Sequence, residues 1–241
     1  MGWDEMVEDV MGVNLRGLRT IWMAIRDPKR LFTAARSSDW QGRQFGPSLR
    51  VFLFILAVIL FFQFIWADPQ SQVAEAFREV VGTLDEIDPE FGDEKTVLEG
   101  IEVYVVVYPL ILVILSFLFS LLVRIWGNGT PLLARVRLYF AAVIPSAFLG
   151  IFSTLILAAV PLDQSTGPTL AALVIGGVVD ALTTFRGLAP MYAFVSRLWR
   201  ALLFGLISMT ALAATSIAAT VVTLTYISFM LGLESGLAVP S

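Results

Sequence analysis

Thr169–Leu188, TLAALVIGGVVDALTTFRGL, decides the topology of this chain. It has about the 20 residues that a helix needs to cross a hydrocarbon core, yet it carries Asp180 and Arg186. Lys and Arg arbitrate, because near span ends they collect on the cytoplasmic face whatever the acids do. Read as a span, the segment puts Arg186, Arg197 and Arg200 on one side with Arg124, Arg135 and Arg137. The same side holds Arg16, Arg19, Arg26, Lys29, Arg30, Arg36, Arg43 and Arg50, and only Arg78 and Lys95 of the 16 Lys and Arg fall opposite. Dissolving the segment sends Arg186, Arg197 and Arg200 to the wrong face. The pattern predicts five spans, a cytoplasmic N-terminus and an external C-terminus.

The other four spans are more apolar. They are Val51–Ala67 (VFLFILAVILFFQFIWA), Val103–Val123, Leu138–Val160 and Ala201–Leu231. Over the 241 residues, 57% are apolar and 15% charged, where a soluble domain carries about 25% charged. The fold class is all-α, a polytopic helical membrane protein whose five transmembrane helices follow cytoplasmic amphipathic interfacial helices. The expected organisation is a cytoplasmic amphipathic region over 1–49 and a five-helix membrane domain over 50–233. That domain includes an acidic external loop over 68–102 and is followed by an external tail over 234–241. The first 49 residues are too polar for a signal-peptide core, so a retained N-terminus is expected.

The chain has no Cys and no His. Thiolate chemistry and disulfides are thereby excluded, as are the commonest general base and the commonest metal ligand. No phosphate loop, nucleotide-binding glycine pattern, zincin motif or serine elbow occurs. No catalytic residue, cofactor, metal or nucleic-acid partner is expected.

Outside the spans, Leu15, Leu18, Ile21, Trp22 and Ile25 recur at helical spacing and the basic residues fall elsewhere on the wheel. This reads as an interfacial helix in which Arg16, Arg19, Trp22 and Arg26 meet lipid headgroups or a partner. Asp27-Pro28 reads as a cap and first position of a second helix that adds Lys29 and Arg30 to that surface. Externally, 71–87 places Val73, Phe77, Leu84 and Ile87 on one face, an amphipathic helix across the mouth of the bundle. The acids after it lack the spacing of a calcium loop and read as a solvated surface.

Polar groups inside the hydrocarbon carry the functional signal. Asp180 and Gln63 are the candidate intramembrane polar site. An ionised Asp at the centre of a span costs about 2.5–3.5 kcal/mol, so a partner is expected. Arg186 lies off the i,i+3/i+4 face, which leaves an Arg of another helix or the hydroxyls of span five. Pro109 and Pro145 each delete a helical hydrogen bond and mark kinks. Ala211, Thr215 and Ala219 form a ladder of small residues, with Ala214 and Ala218 as a second, and Gly176 and Gly177 could receive it closely. Span five is expected to be the central or oligomer-forming helix.

One further pattern is familiar. Asp27-Pro28-Lys29-Arg30-Leu31-Phe32 precedes five spans, and Gly127-Asn128-Gly129-Thr130 precedes a span reading RLYFAAVIPSAF from Arg137. This layout resembles the Yip family of five-span membrane proteins, named for interaction with Rab-type GTPases, and particularly its stand-alone bacterial type. The resemblance covers residues 15–233. It implies a helical bundle without known catalysis that acts through protein partners or on membrane organisation.

The leading expectation is a non-enzymatic scaffold or accessory subunit of a membrane complex, contacting membrane lipids and a protein partner or a second copy. The alternative is a small permease or channel that uses Asp180 and the kinked spans. A bacterial inner membrane is the expected location, with a eukaryotic endomembrane less favoured.

Overall fold

The computed structural model describes residues 15–37, 45–65, 94–159 and 166–237. Among them the regular structure is helical: α1 (Leu15–Arg26), α2 (Pro28–Ser37), α3 (Ser48–Ile65), α4 (Glu94–Leu122), α5 (Leu132–Ala159), α6 (Thr166–Gly187) and α7 (Phe194–Leu237). Leu98–Leu122, Leu132–Ile156, Gly167–Gly187 and Phe194–Met230 are each long and apolar enough to cross a membrane. The protein is therefore a helical membrane protein.

The expected spans shift at their ends. The span placed at Val51–Ala67 lies in the 18-residue α3, whose length of about 27 Å falls short of a ~30 Å core. The helix through Val103–Val123 begins at Glu94, inside the stretch expected as the loop 68–102. The last helix runs on to Leu237, into the expected tail 234–241. The proposed external helix over 71–87 lies outside the described residues.

α3 packs on α5, α5 on α6, α6 on α7 and α7 on α4, and α4 touches both α3 and α5. The five helices thus close a ring. Below one end lie α1 and α2. Asp27 ends α1 and caps α2, accepting a hydrogen bond from Arg30 N at 3.4 Å on its Oδ1, with Pro28 at the position where a missing N–H is harmless. Gly46 N donates to Thr20 Oγ1 at 2.9 Å, tying α1 to the start of α3. Ser48 Oγ donates to Arg137 O at 2.8 Å, tying α3 to α5.

The described residues of the region 1–49 pack into the bundle. Ile21, Ala24, Leu31, Phe32, Ala34 and Ala35 belong to the same buried core as Ile55, Trp126, Phe140 and Phe204. The stripe expected on α1 divides accordingly: Ile21 enters the core, whereas Leu15, Leu18, Trp22 and Ile25 stay exposed. The α2 helix can approach closely because Gly187 has no side chain; a Cβ there would meet the Phe32 ring at 2.6 Å.

A chain of aromatic rings fixes this end. Phe32 meets Trp126 at 5.8 Å between centroids, Trp126 meets Phe204 at 5.4 Å and Phe204 meets Tyr139 at 5.5 Å. Tyr139 meets Phe140 at 5.4 Å and Phe140 meets Phe52 at 5.0 Å. Such edge-on and tilted contacts add about 0.5–1.5 kcal/mol each beyond buried area. They join α2, the turn before α5, α7, α5 and α3 into one closed end.

Candidate functional site

Above the aromatic layer the ring of helices encloses a cavity of about 410 Å³. Its wall follows α5 from Tyr139 to Thr154, a path of roughly 22 Å at helical rise. Every member of the ring contributes a polar group: Gln63 from α3, Tyr108 and Ser116 from α4, Ser146 and Thr154 from α5, Asp180 from α6, and Ser208 and Ser216 from α7. The two residues singled out in the sequence, Asp180 and Gln63, therefore share one chamber.

Asp180 is 4% exposed. The hydroxyls of Ser146 and Ser208 lie against its carboxyl, and Tyr139 stands nearby. Neither serine is committed to it. Ser146 Oγ donates to Val143 O at 2.9 Å and Ser208 Oγ to Gly205 O at 2.9 Å, each along its own helix. Asp180 Oδ1 accepts no hydrogen bond from the described residues. A buried carboxylate oxygen without a donor is costly, and a proton, a cation or a ligand N–H would relieve it. Most of the lining is apolar, Phe52, Leu56, Ile59, Leu112 and Leu173 among it, and the other polar groups are hydroxyls and one amide. Tyr139 stands beside Ser116, and Tyr108 beside Ser216. Among the described residues no Lys or Arg lines it.

The partner expected for Asp180 is thus half as anticipated, a span-five hydroxyl at Ser208, with no Arg in reach. Arg186 works elsewhere: Nη1 donates to Ile25 O at 2.8 Å and Nη2 to Arg26 O at 2.6 Å. It caps the carbonyl end of α1, where a cation suits the helix dipole.

The small-residue ladder is interior. Ala211 is 3% exposed, and Thr215 and Ala219 are fully buried, within this one chain. The glycine pair divides. A Cβ on Gly177 would meet Met209 Cγ at 2.4 Å, whereas one on Gly176 would meet nothing within 4 Å. The close partner of Gly177 is Gly205, and Gly176 is not part of that packing contact. Pro109 and Pro145 both lie inside continuous helices and are buried. Pro145 precedes Ser146, where the deleted N–H falls beside the chamber wall.

Sequence reading missed Ser116, Tyr139 and Ser146, and reached Ser208 only as one of several hydroxyls of span five. Each is an unremarkable hydroxyl on its own span.

Among the described residues, no group of three or more His, Cys, Asp or Glu gathers at a point. The fold and the chamber define the class: a helical membrane protein with a mainly apolar central cavity that carries scattered hydroxyls and, among the described residues, one buried carboxyl. No protein-family model, curated protein or solved structure matches the chain.

Proposed function

We propose that the chain is a small non-enzymatic permease that binds a cation or hydrogen-bond-donating solute at Asp180. The observation that carries this reading is the Asp180 carboxyl, buried and short of donors on the wall of a chamber to which all five ring helices contribute. A mainly apolar chamber whose polar groups are one acid, an amide and hydroxyls, with no basic group among the described residues, favours a positively charged or proton-carrying ligand over an anion. In this reading α3 crosses as the fifth span, the N-terminus is cytoplasmic and the C-terminus external, in a bacterial inner membrane. The exposed stripe of α1, with Arg16, Arg19 and Arg26 beside it, lies in the headgroup region. The aromatic layer then seals the cytoplasmic end, and the ligand enters past Gln63, Thr154 and Thr169.

The reading as a scaffold or accessory subunit drew on the missing catalytic residues, the few polar groups inside the spans and the small-residue face of span five. Ala211, Thr215 and Ala219 are buried within the chain itself, so in that reading a partner would meet another surface. Kinship with the Yip family stays a proposal carried by the residues quoted above.

The test is flux into proteoliposomes of purified protein. A trapped pH-sensitive dye reads protons, and labelled sodium and methylammonium read cations. Wild type is expected to move at least one of them faster than empty liposomes do, and Asp180→Asn to abolish the difference. No movement of any of the three, or a flux that survives Asp180→Asn in folded protein, overturns the proposal.

A further inference from the structure

The end of α4 and the start of α7 enclose a second concavity, of about 610 Å³, remote in sequence from Asp180 and separate from its chamber. One end of it is basic and the other is apolar. Arg124 and Arg200 open on the first, with Ser196 between the chain segments that carry them, while Leu122, Leu203 and Ile207 line the second.

Arg200 is held in place. Its Nε donates to Ser196 Oγ at 3.2 Å, its Nη1 donates to Ile125 O, and its guanidinium lies 4.2 Å from the Tyr192 ring centroid. Arg124 is exposed, and its side chain has no hydrogen bond or ion pair among the described residues. Among those residues no acid lines the concavity. Two guanidinium groups facing one space without a carboxylate leave a positive potential that an anion would neutralise. The first turn of α7 adds to it. Arg197 N bonds to Ala193 O, so Ala193 is the N-cap and brings no side-chain acceptor for the free N–H groups.

The apolar half says what kind of anion. Leu122 is 72% and Trp199 71% exposed, on the outer surface of a membrane protein. A free phosphate has no use for that surface, whereas an acyl chain does, and Trp suits the level at which headgroup and chain join.

We infer that this corner is a binding site for an anionic glycerophospholipid of the adjoining leaflet. Its phosphodiester sits between Arg124 and Arg200, and one acyl chain follows Leu122, Leu203 and Ile207. Basic pockets between membrane helices take such headgroups.

Native mass spectrometry of the full chain in mild detergent, with phosphatidylglycerol or phosphatidylcholine added, tests it. Wild type is expected to retain phosphatidylglycerol in preference to phosphatidylcholine. Arg124→Gln should lower that retention about fivefold, the factor one basic residue contributes near an anionic lipid. Arg124→Glu should lower it further and Lys95→Gln, at the opposite end of α4, should leave it unchanged. Leu203→Trp fills the apolar half and should weaken retention with both charges intact, its melting temperature without lipid showing that it has folded. Equal retention of the two lipids by wild type, or unchanged retention in both Arg124 variants, overturns the site. So does displacement of the lipid by inorganic phosphate, which would mean that the corner reads the anion alone.

Discussion

Gly205 and Gly177 meet backbone to backbone: a Cβ on Gly205 would come 2.6 Å from the Gly177 carbonyl oxygen and 2.9 Å from Ala181 Cβ. Near the other end of the pair, Phe185 stacks edge-on with Phe194 and Arg197 covers Phe185, so α6 and α7 run antiparallel. Side chains lean toward the N-terminus of their own helix. Asp180, three residues past Gly177, and Ser208, three past Gly205, therefore lean toward the crossing from opposite sides. The two glycines let the helices come close enough for that carboxyl and that hydroxyl to face each other.

The glycines should consequently differ in tolerance. Gly205→Ala pushes a methyl against backbone and should destabilise by about 1–3 kcal/mol. Gly177→Ala displaces the flexible Met209 and should cost less. Gly176→Ala has open space and should be neutral or gain up to about 1 kcal/mol from the better helix former. Thermal melts in one detergent give the order, and a Gly176 variant as damaged as the Gly205 variant contradicts it.

Asp180 should be replaceable without loss of the fold. Asp180→Asn keeps the size and removes a buried charge short of donors, so its melting temperature should equal or exceed that of wild type. A large fall in stability would make the carboxyl a structural group rather than a ligand site.

Arg186 should hold the hairpin of α1 and α2. Arg186→Ala releases the carbonyls of Ile25 and Arg26 and should weaken the attachment of α1 and α2 by about 1–2 kcal/mol. Limited trypsin digestion reads this as faster cutting at Arg26, Lys29 and Arg30, with α4 to α7 unaffected. Cutting at the wild-type rate means that Phe32 against Gly187 suffices.

Gly127 and Gly129 should separate in the same way. Both have positive φ, 110° and 82°, so either substitution by Ala carries about 1–2 kcal/mol of backbone strain. At Gly127 the methyl would also meet Tyr192 Oη at 2.4 Å, and Tyr192 is the ring on which Arg200 rests. Gly127→Ala should therefore be the more destabilising, and it should also lower phosphatidylglycerol retention where Gly129→Ala does not.

Trp126 joins α2 to α7 through Phe32 and Phe204 and is fully buried. Trp126→Ala should cost about 3–5 kcal/mol. A variant that melts like wild type would show that the aromatic layer is not what closes this end.

The membrane class, the all-helical content, the break between α1 and α2 at Asp27-Pro28 and the burial of Asp180 within an apolar helix were all legible from the chain. These follow from local quantities: a window of hydropathy, a proline beside a capping acid, a carboxyl in an apolar run. Each needs only neighbours in sequence. Two further features were left undivided. The Ala211, Thr215 and Ala219 ladder could have packed within the chain or against another copy, and Gly176 looked equivalent to Gly177.

The reason is physical. In water a helix shows which face is inner, because its outer face is polar. In a bilayer the lipid-facing side is as apolar as the core, so α4 and α7 carry little mark of orientation along their length. By itself the sequence determined what could enter the membrane and which charge would be out of place there. Only the tertiary structure decided which small residues turn inward, that five helices close a ring around Asp180, and that Arg124 and Arg200 line one concavity between the end of α4 and the start of α7. Those relationships arise from packing between segments far apart in the chain, which no local pattern encodes.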